Sequence, residues 1–127
     1  MTRPSGEPDL RWEVLAAGDG RIVPRPGDRG RARALVADAR LDPSLDWLRP
    51  RVLALCDAPP DPFDRATLPD HLTASAVVVG ARRGALLLHH RKLGRWLQPG
   101  GHVDGDGNLL AAACREAHEE TGIEGLV

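Results

Sequence analysis

Three carboxylates, Glu116, Glu119 and Glu120, follow a glycine-rich loop at helical spacing within residues 100–123, GGHVDGDGNLLAAACREAHEETGI. Carboxylates three and four positions apart repel by about 0.2–0.5 kcal/mol per pair on an exposed helix, so the cluster opposes its own helix unless positive charge stands against it. A hard divalent cation is the natural counterion. Magnesium takes oxygen ligands, keeps several waters and bridges carboxylates to substrate phosphates. Two simpler readings compete. A solvated charged face explains most Glu-Glu pairs taken alone. A calcium loop is suggested by Asp104, Asp106 and Asn108, which have the spacing of the first, third and fifth EF-hand positions. It fails at the sixth, where Leu109 replaces Gly, and at the twelfth, where Arg115 replaces Glu.

The element that must carry the carboxylates is a helix over 109–120. Asn108 is a suitable N-cap, the run behind it holds strong helix formers without proline, and Gly122 sits where a left-handed residue closes a helix. At about 100° per residue, Leu110, Cys114, Ala117 and Thr121 share an arc predicted to pack on the core. Glu116, Glu119 and Glu120 gather on a different face.

Together these residues resemble the signature of the Nudix hydrolase family, G-x(5)-E-x(7)-R-E-U-x-E-E-x-G-U with U apolar. Gly101, Arg115, Glu116, Ala117, Glu119, Glu120, Gly122 and Ile123 fall in register. At average composition the five fixed positions between 115 and 122 match by chance about once in a million windows. One position departs: Gly107 stands where the pattern has its first Glu. In the family that Glu supports the motif arginine, so the resemblance leaves Arg115 less well held here.

The resemblance implies an α/β fold, the first half of a Nudix-type α/β/α sandwich with a mixed sheet and the motif helix. It implies Mg²⁺, with Mn²⁺ as the alternative, on Glu116, Glu119, Glu120 and the Gly101 carbonyl. Glu120, Arg115 and Glu119 form the implied catalytic set: Arg115 orients the carboxylates, and Glu120 or a residue beyond the motif assists the attacking water. Gly100, Gly101, His102 and Arg91 are the expected substrate contacts.

The remaining composition mostly excludes. A chain of 127 residues with 42% apolar content affords one core, and a net charge of −1 gives no electrostatic support for nucleic-acid or membrane-surface binding. Cys56 and Cys114 are too few for a disulfide framework. The first ten residues have no apolar signal core and no stretch of 18 apolar residues occurs, so the expectation is a soluble, cytoplasmic protein.

In chain order, residues 1–9 are expected to fray and 10–24 to form a hairpin around Gly18-Asp19-Gly20, with a helix over 10–17 as the alternative. A helix is predicted over 29–40, with Leu35, Val36 and Ala39 inward and Arg29, Arg31, Arg33 and Arg40 outward. Asp42-Pro43 should open a second helix over 44–56, kinked or split by Pro50. Four prolines in 58–69 suggest an extended linker. The division expected is therefore a mostly helical segment, 1–70, and a Nudix-like segment, 71–127.

In the second segment, apolar runs at 73–79 and 85–89 around a turn at 80–84 read as buried strands, and a third strand is predicted at Trp96-Leu97. Between the last two lies a basic stretch, HHRKLGRW, that meets phosphate or is merely a solvated hairpin. Trp96 reads as packing, and His118 as outward-facing. The family signature is normally followed by further strands and a second helix, so the sequence looks C-terminally truncated, with open sheet edges that favour association. Two functions follow. The first is hydrolysis of a nucleoside diphosphate linked to another moiety, with water attacking phosphorus. The second is a non-catalytic remnant or interaction module that retains the start of the fold.

Overall fold

The computed structural model describes residues 13–80 and 84–126. The expectations for residues 1–9, the first part of the 10–24 segment and the tip of the 80–84 turn lie outside them. Among the described residues, three α-helices and six short strands make an α/β fold: α1 (Arg29–Asp38), α2 (Arg49–Asp57), β1 (Thr73–Ser75), β2 (Val79–Gly80), β3 (Gly84–Ala85), β4 (Leu88–His90), β5 (Arg95–Leu97), β6 (Gly100–His102) and α3 (Leu109–Thr121).

The helical first segment is held by arginines that reach across to the ends of each other's helices. Asp28 caps α1 by accepting from the Arg31 N–H at 2.8 Å. Arg49, at the start of α2, donates to the Val36, Ala37 and Ala39 carbonyls at 2.7–2.8 Å, closing the C-terminal end of α1. Arg29, at the start of α1, donates to the Cys56, Ala58 and Pro60 carbonyls at 3.3, 2.8 and 3.1 Å. Guanidinium groups at helix C-termini satisfy the unpaired carbonyls and complement the dipole. Arg29 thus points at α2 instead of outward, and Ala39 is exposed while Ala32 is the fully buried residue of α1.

Pro50 divides the second helix as its missing N–H requires. A 3₁₀ stretch, Pro43–Leu48, capped by Asp42, runs into α2, and Pro50 sits in the first turn of α2. Among the described residues, the predicted hairpin before α1 is replaced by a turn at Ala17-Gly18 and a single 3₁₀ turn, Gly20–Ile22. Arg21 explains it: its backbone N–H and guanidinium both bind Asp19 locally, at 2.7–3.0 Å, in place of a strand partner.

One hydrophobic cluster unites both segments: Ala32, Cys56 and Phe63 pack with Leu72, Ala74, Val103 and Ala112. The proline-rich stretch therefore contributes to the core, with Pro62 and Phe63 among the most buried side chains. The Pro62 carbonyl accepts from Leu72 N–H at 2.7 Å, and the Phe63 carbonyl from Gly105 N–H at 3.2 Å.

The strands pair as three antiparallel ladders, β1 with β6, β2 with β3 and β4 with β5. The predicted strand at 73–79 is interrupted between β1 and β2, and the one at 85–89 between β3 and β4. Burial was also overestimated: Val77, Val79 and Leu87 are 67%, 69% and 51% exposed, and Trp96, expected to pack inward, is 66% exposed. A continuous apolar run signals a strand covered on both faces, but these strands are covered on one face at most. Gly100–His102, read from sequence as loop, is β6. It registers Thr73 against His102 and Ser75 against Gly100.

Candidate functional site

Helix α3 lies on β1 and β6, so its residues meet the glycine strand directly. Its buried face consists of Ala111, Ala112 and Ala117. Of the predicted core-facing arc, Ala117 is buried and Thr121 half-buried, but Leu110 is 40% exposed and Cys114 is exposed, so the buried face is shifted towards Ala111 and Ala112. Small side chains explain the shift: alanines let the helix approach the strand closely, and contact area outweighs the apolarity of any one larger residue. Gly122 ends the helix in the left-handed region, φ 64°, with its N–H bonded to the His118 carbonyl, as the sequence implied.

That close approach brings two glutamates onto the glycines. Gly100 N–H donates to Glu120 Oε2 at 3.0 Å. A Cβ at Gly101 would stand 2.6 Å from Glu116 Oε2, so glycine leaves room for that carboxylate against the strand. Arg115 completes the arrangement. Its Nη2 donates to the His102 carbonyl at 2.9 Å, and its Nη1 donates to Glu116 Oε1 at 2.9 Å and lies 3.5 Å from Glu119. The positive charge that the glutamate cluster needs is therefore supplied in the structure by Arg115.

Asp104 and Arg65 extend the site in a way the sequence did not signal. Arg65 Nη2 donates to Asp104 Oδ1 at 2.5 Å, and Asp104 Oδ2 stands 3.9 Å from Arg115. The Arg65 hydrogen bond holds the Asp104 carboxyl below its ordinary range. His71 was likewise missed: its Nδ1 faces the Thr67 carbonyl at 3.1 Å and its Nε2 meets His102 Nδ1 at 3.2 Å. If His71 Nδ1 carries the proton, as a carbonyl partner requires, His71 Nε2 accepts and His102 donates. None of these three holds a fixed motif position, and the Arg65–Asp104 and His71–His102 pairs join residues 39 and 31 positions apart.

The loop between β6 and α3 is tied to the segment that precedes α1. Gly107 N–H donates to the Arg25 carbonyl and Gly27 N–H to the Gly105 carbonyl, both at 2.8 Å. Arg25 N–H returns a bond to Asp106 Oδ1 at 2.8 Å. Asn108 holds the predicted N-cap position without capping. Its buried side chain is oriented by Nδ2, which donates to the Arg21 and Val23 carbonyls at 2.9 and 2.7 Å, while Oδ1, the atom that would cap, has no partner among the described residues. This strap explains the departure at Gly107: a Cβ there would fall 2.2 Å from the Asp28 carbonyl oxygen, so a glutamate does not fit.

Arg91 is on the turn between β4 and β5, across an open cavity of about 520 Å³ whose lining also includes Gly100 and Glu120. Of the expected site residues, Gly100, Gly101, His102, Arg115, Glu116 and Glu120 meet at the β6–α3 contact. Glu119 is 59% exposed and reaches it only through Arg115. Among the described residues no group of three or more His, Cys, Asp and Glu side chains forms a ready-made metal site. The donor chemistry nevertheless fits a hard cation: three carboxylates and the backbone of β6 offer oxygen alone, and the Gly101 cradle admits Glu116.

A glycine strand closed upon a carboxylate-bearing helix defines a class of oxygen-rich site suited to phosphate chemistry. Residues 69–127 match the family model of the NUDIX domain, the family whose signature residues 101–123 resemble. No solved structure matches the chain.

Proposed function

We propose that this segment provides the metal and phosphate site of a hydrolase acting on a nucleoside diphosphate linked to another moiety. The observation that carries the reading is the meeting of Glu120 with Gly100 N–H and of Glu116 with Gly101. It sets two carboxylates of α3 beside the β6 backbone. Glu116, Glu119, Glu120 and the Gly101 carbonyl would hold Mg²⁺, or Mn²⁺. When bound, the cation neutralises phosphate oxygens and lowers the pKa of a coordinated water. Arg115 orients Glu116 through its 2.9 Å bond and is itself anchored by the His102 carbonyl. Glu120 is held by Gly100 N–H, where it can accept a proton from attacking water.

The reading is tested by titrating Mn²⁺ into the chain and following free ion by electron paramagnetic resonance. The expected result is saturable binding that Glu120→Gln weakens at least about tenfold, the loss of one charged ligand being worth roughly 1.5–3 kcal/mol. Binding equal to that of the Glu120→Gln variant would refute the site. Release of nucleoside monophosphate from nucleoside diphosphate sugars and dinucleotides in Mg²⁺, above a protein-free control, establishes turnover and separates the enzyme from a non-catalytic remnant.

No helix among the described residues is long and apolar enough to cross a membrane. A cytoplasmic protein that meets small nucleotide-type molecules is the setting we propose, and both cysteines are free. Each two-stranded ladder keeps an unpaired edge, and Val77, Val79 and Trp96 are exposed nearby. Self-association through a sheet edge is therefore expected. Light scattering should show a mean mass that rises with concentration; a constant monomer mass would contradict it.

A further inference from the structure

The cavity between the β4–β5 hairpin and the end of α3 is lined by chemically unlike groups. From α3 comes Glu120, fixed by Gly100 N–H. From the hairpin come His90, Arg91 and Lys92, together with the Leu88–Leu97 cross-strand pair. The volume, about 520 Å³, is within the range of organic-ligand pockets.

Two features mark the basic turn as more than a solvated one. Among the described residues, no hydrogen bond or ion pair engages the Arg91 or Lys92 side chain. Both line the cavity, so their charges are available to a ligand there. His90 is oriented as well: Leu93 N–H donates to its Nδ1 at 3.3 Å, which leaves the proton of the neutral ring on Nε2 as a donor. The turn itself is fixed, because Leu93 and Gly94 N–H both donate to the His90 carbonyl, at 3.2 and 2.8 Å. Three donors on one rigid turn suit a tetrahedral anion. The leucine pair suits carbon, not a chain of phosphates.

We propose that this cavity binds an organic phosphate, its phosphate on His90, Arg91 and Lys92 and its carbon skeleton over Leu88 and Leu97. Combined with the metal-site reading above, on which this further step rests, the substrate is a nucleoside diphosphate whose second moiety bears a phosphate of its own. Glu120 then belongs to both halves of the site: it would face the diphosphate through the cation, while the hairpin recognises the far end of the leaving group.

The test is nuclear magnetic resonance titration of the ¹⁵N-labelled chain with ribose 5-phosphate, ribose, inorganic phosphate and tripolyphosphate, each in EDTA and again in Mg²⁺. Ribose 5-phosphate should shift the amides of residues 90–94 saturably in EDTA and bind more tightly than inorganic phosphate, and ribose should shift nothing. The double variant Arg91→Gln, Lys92→Gln should weaken ribose 5-phosphate about tenfold, as expected for losing two exposed charge contacts. It should leave Mg²⁺-induced shifts at residues 100–102 and 116–120 unchanged. Equal affinity for inorganic phosphate and ribose 5-phosphate, preference for tripolyphosphate, or an unaffected double variant would each overturn the proposal. Absence of Mg²⁺ shifts in the unsubstituted chain, with ribose 5-phosphate still bound at the hairpin, would overturn the metal-site reading and leave the organic-phosphate pocket standing.

Discussion

Gly107→Ala is expected to destabilise the chain by about 2–4 kcal/mol, although it adds a single methyl group. The new carbon would lie 2.2, 2.6 and 2.8 Å from the Asp28 carbonyl oxygen, carbonyl carbon and nitrogen. All three are backbone atoms, so no rotamer change relieves the contact. Either the strap before α1 moves away or the β6–α3 loop does, and overpacking of this kind costs about 1–3 kcal/mol. Moving either also lengthens the Gly107–Arg25 and Gly27–Gly105 hydrogen bonds, each worth about 0.5–1.5 kcal/mol. Urea denaturation measures it, as a lower midpoint at unchanged slope. Gly20→Ala is the control, since a Cβ there meets nothing within 4 Å and the backbone is not left-handed. Equal midpoints for the two variants would show that the strap is not packed against the loop.

Glu116→Gln should separate a metal site from a charged surface. Glu116 faces Glu119 at i+3 and Glu120 at i+4, so neutralising it relieves two repulsive pairs, about 0.4–1 kcal/mol together. The same change removes the 2.9 Å ion pair with Arg115, whose side chain is 34% exposed, worth about 0.2–1 kcal/mol. The two effects offset, and in EDTA the variant and the unsubstituted chain should melt within about 0.5 kcal/mol of one another. Mg²⁺ at 100 times its dissociation constant stabilises a binding-competent chain by about 2.7 kcal/mol, and the variant should lose most of that gain. The gap between the two melts should therefore open only with metal. If Mg²⁺ shifts both melts equally, or neither, the glutamates form a charged face held by Arg115 alone.

Arg115 shows how a site adapts to an altered motif. Where the family pattern has a supporting Glu, this chain has Gly107, and the sequence suggested a poorly held arginine. The structure holds Arg115 instead by the His102 carbonyl and Glu116, with Asp104 at 3.9 Å and Arg65 behind it. The space that a glutamate would need is occupied by the Asp28 backbone. The departure from the motif thus follows from the strap and leaves the α3 carboxylates in place.

What the sequence by itself determined is what depends on near neighbours. Helix α3, its left-handed end at Gly122, the division of the second helix at Pro50 and the spacing of Glu116, Glu119 and Glu120 all follow from interactions within about four residues. Tertiary structure decided the rest. Which face of α3 is buried depended on how closely its alanines approach β6. Arg29 points inward because unpaired carbonyls at the end of α2 lie within its reach. Asn108 does not cap because its amide is oriented by Nδ2, which donates to the Arg21 and Val23 carbonyls 87 and 85 positions away and leaves the buried Oδ1 without a partner among the described residues. Gly107 is explained only by a backbone about 80 residues earlier. Contacts of that separation leave no periodic trace in the chain, since they arise from the shapes of two packed surfaces and not from the spacing of residues along one.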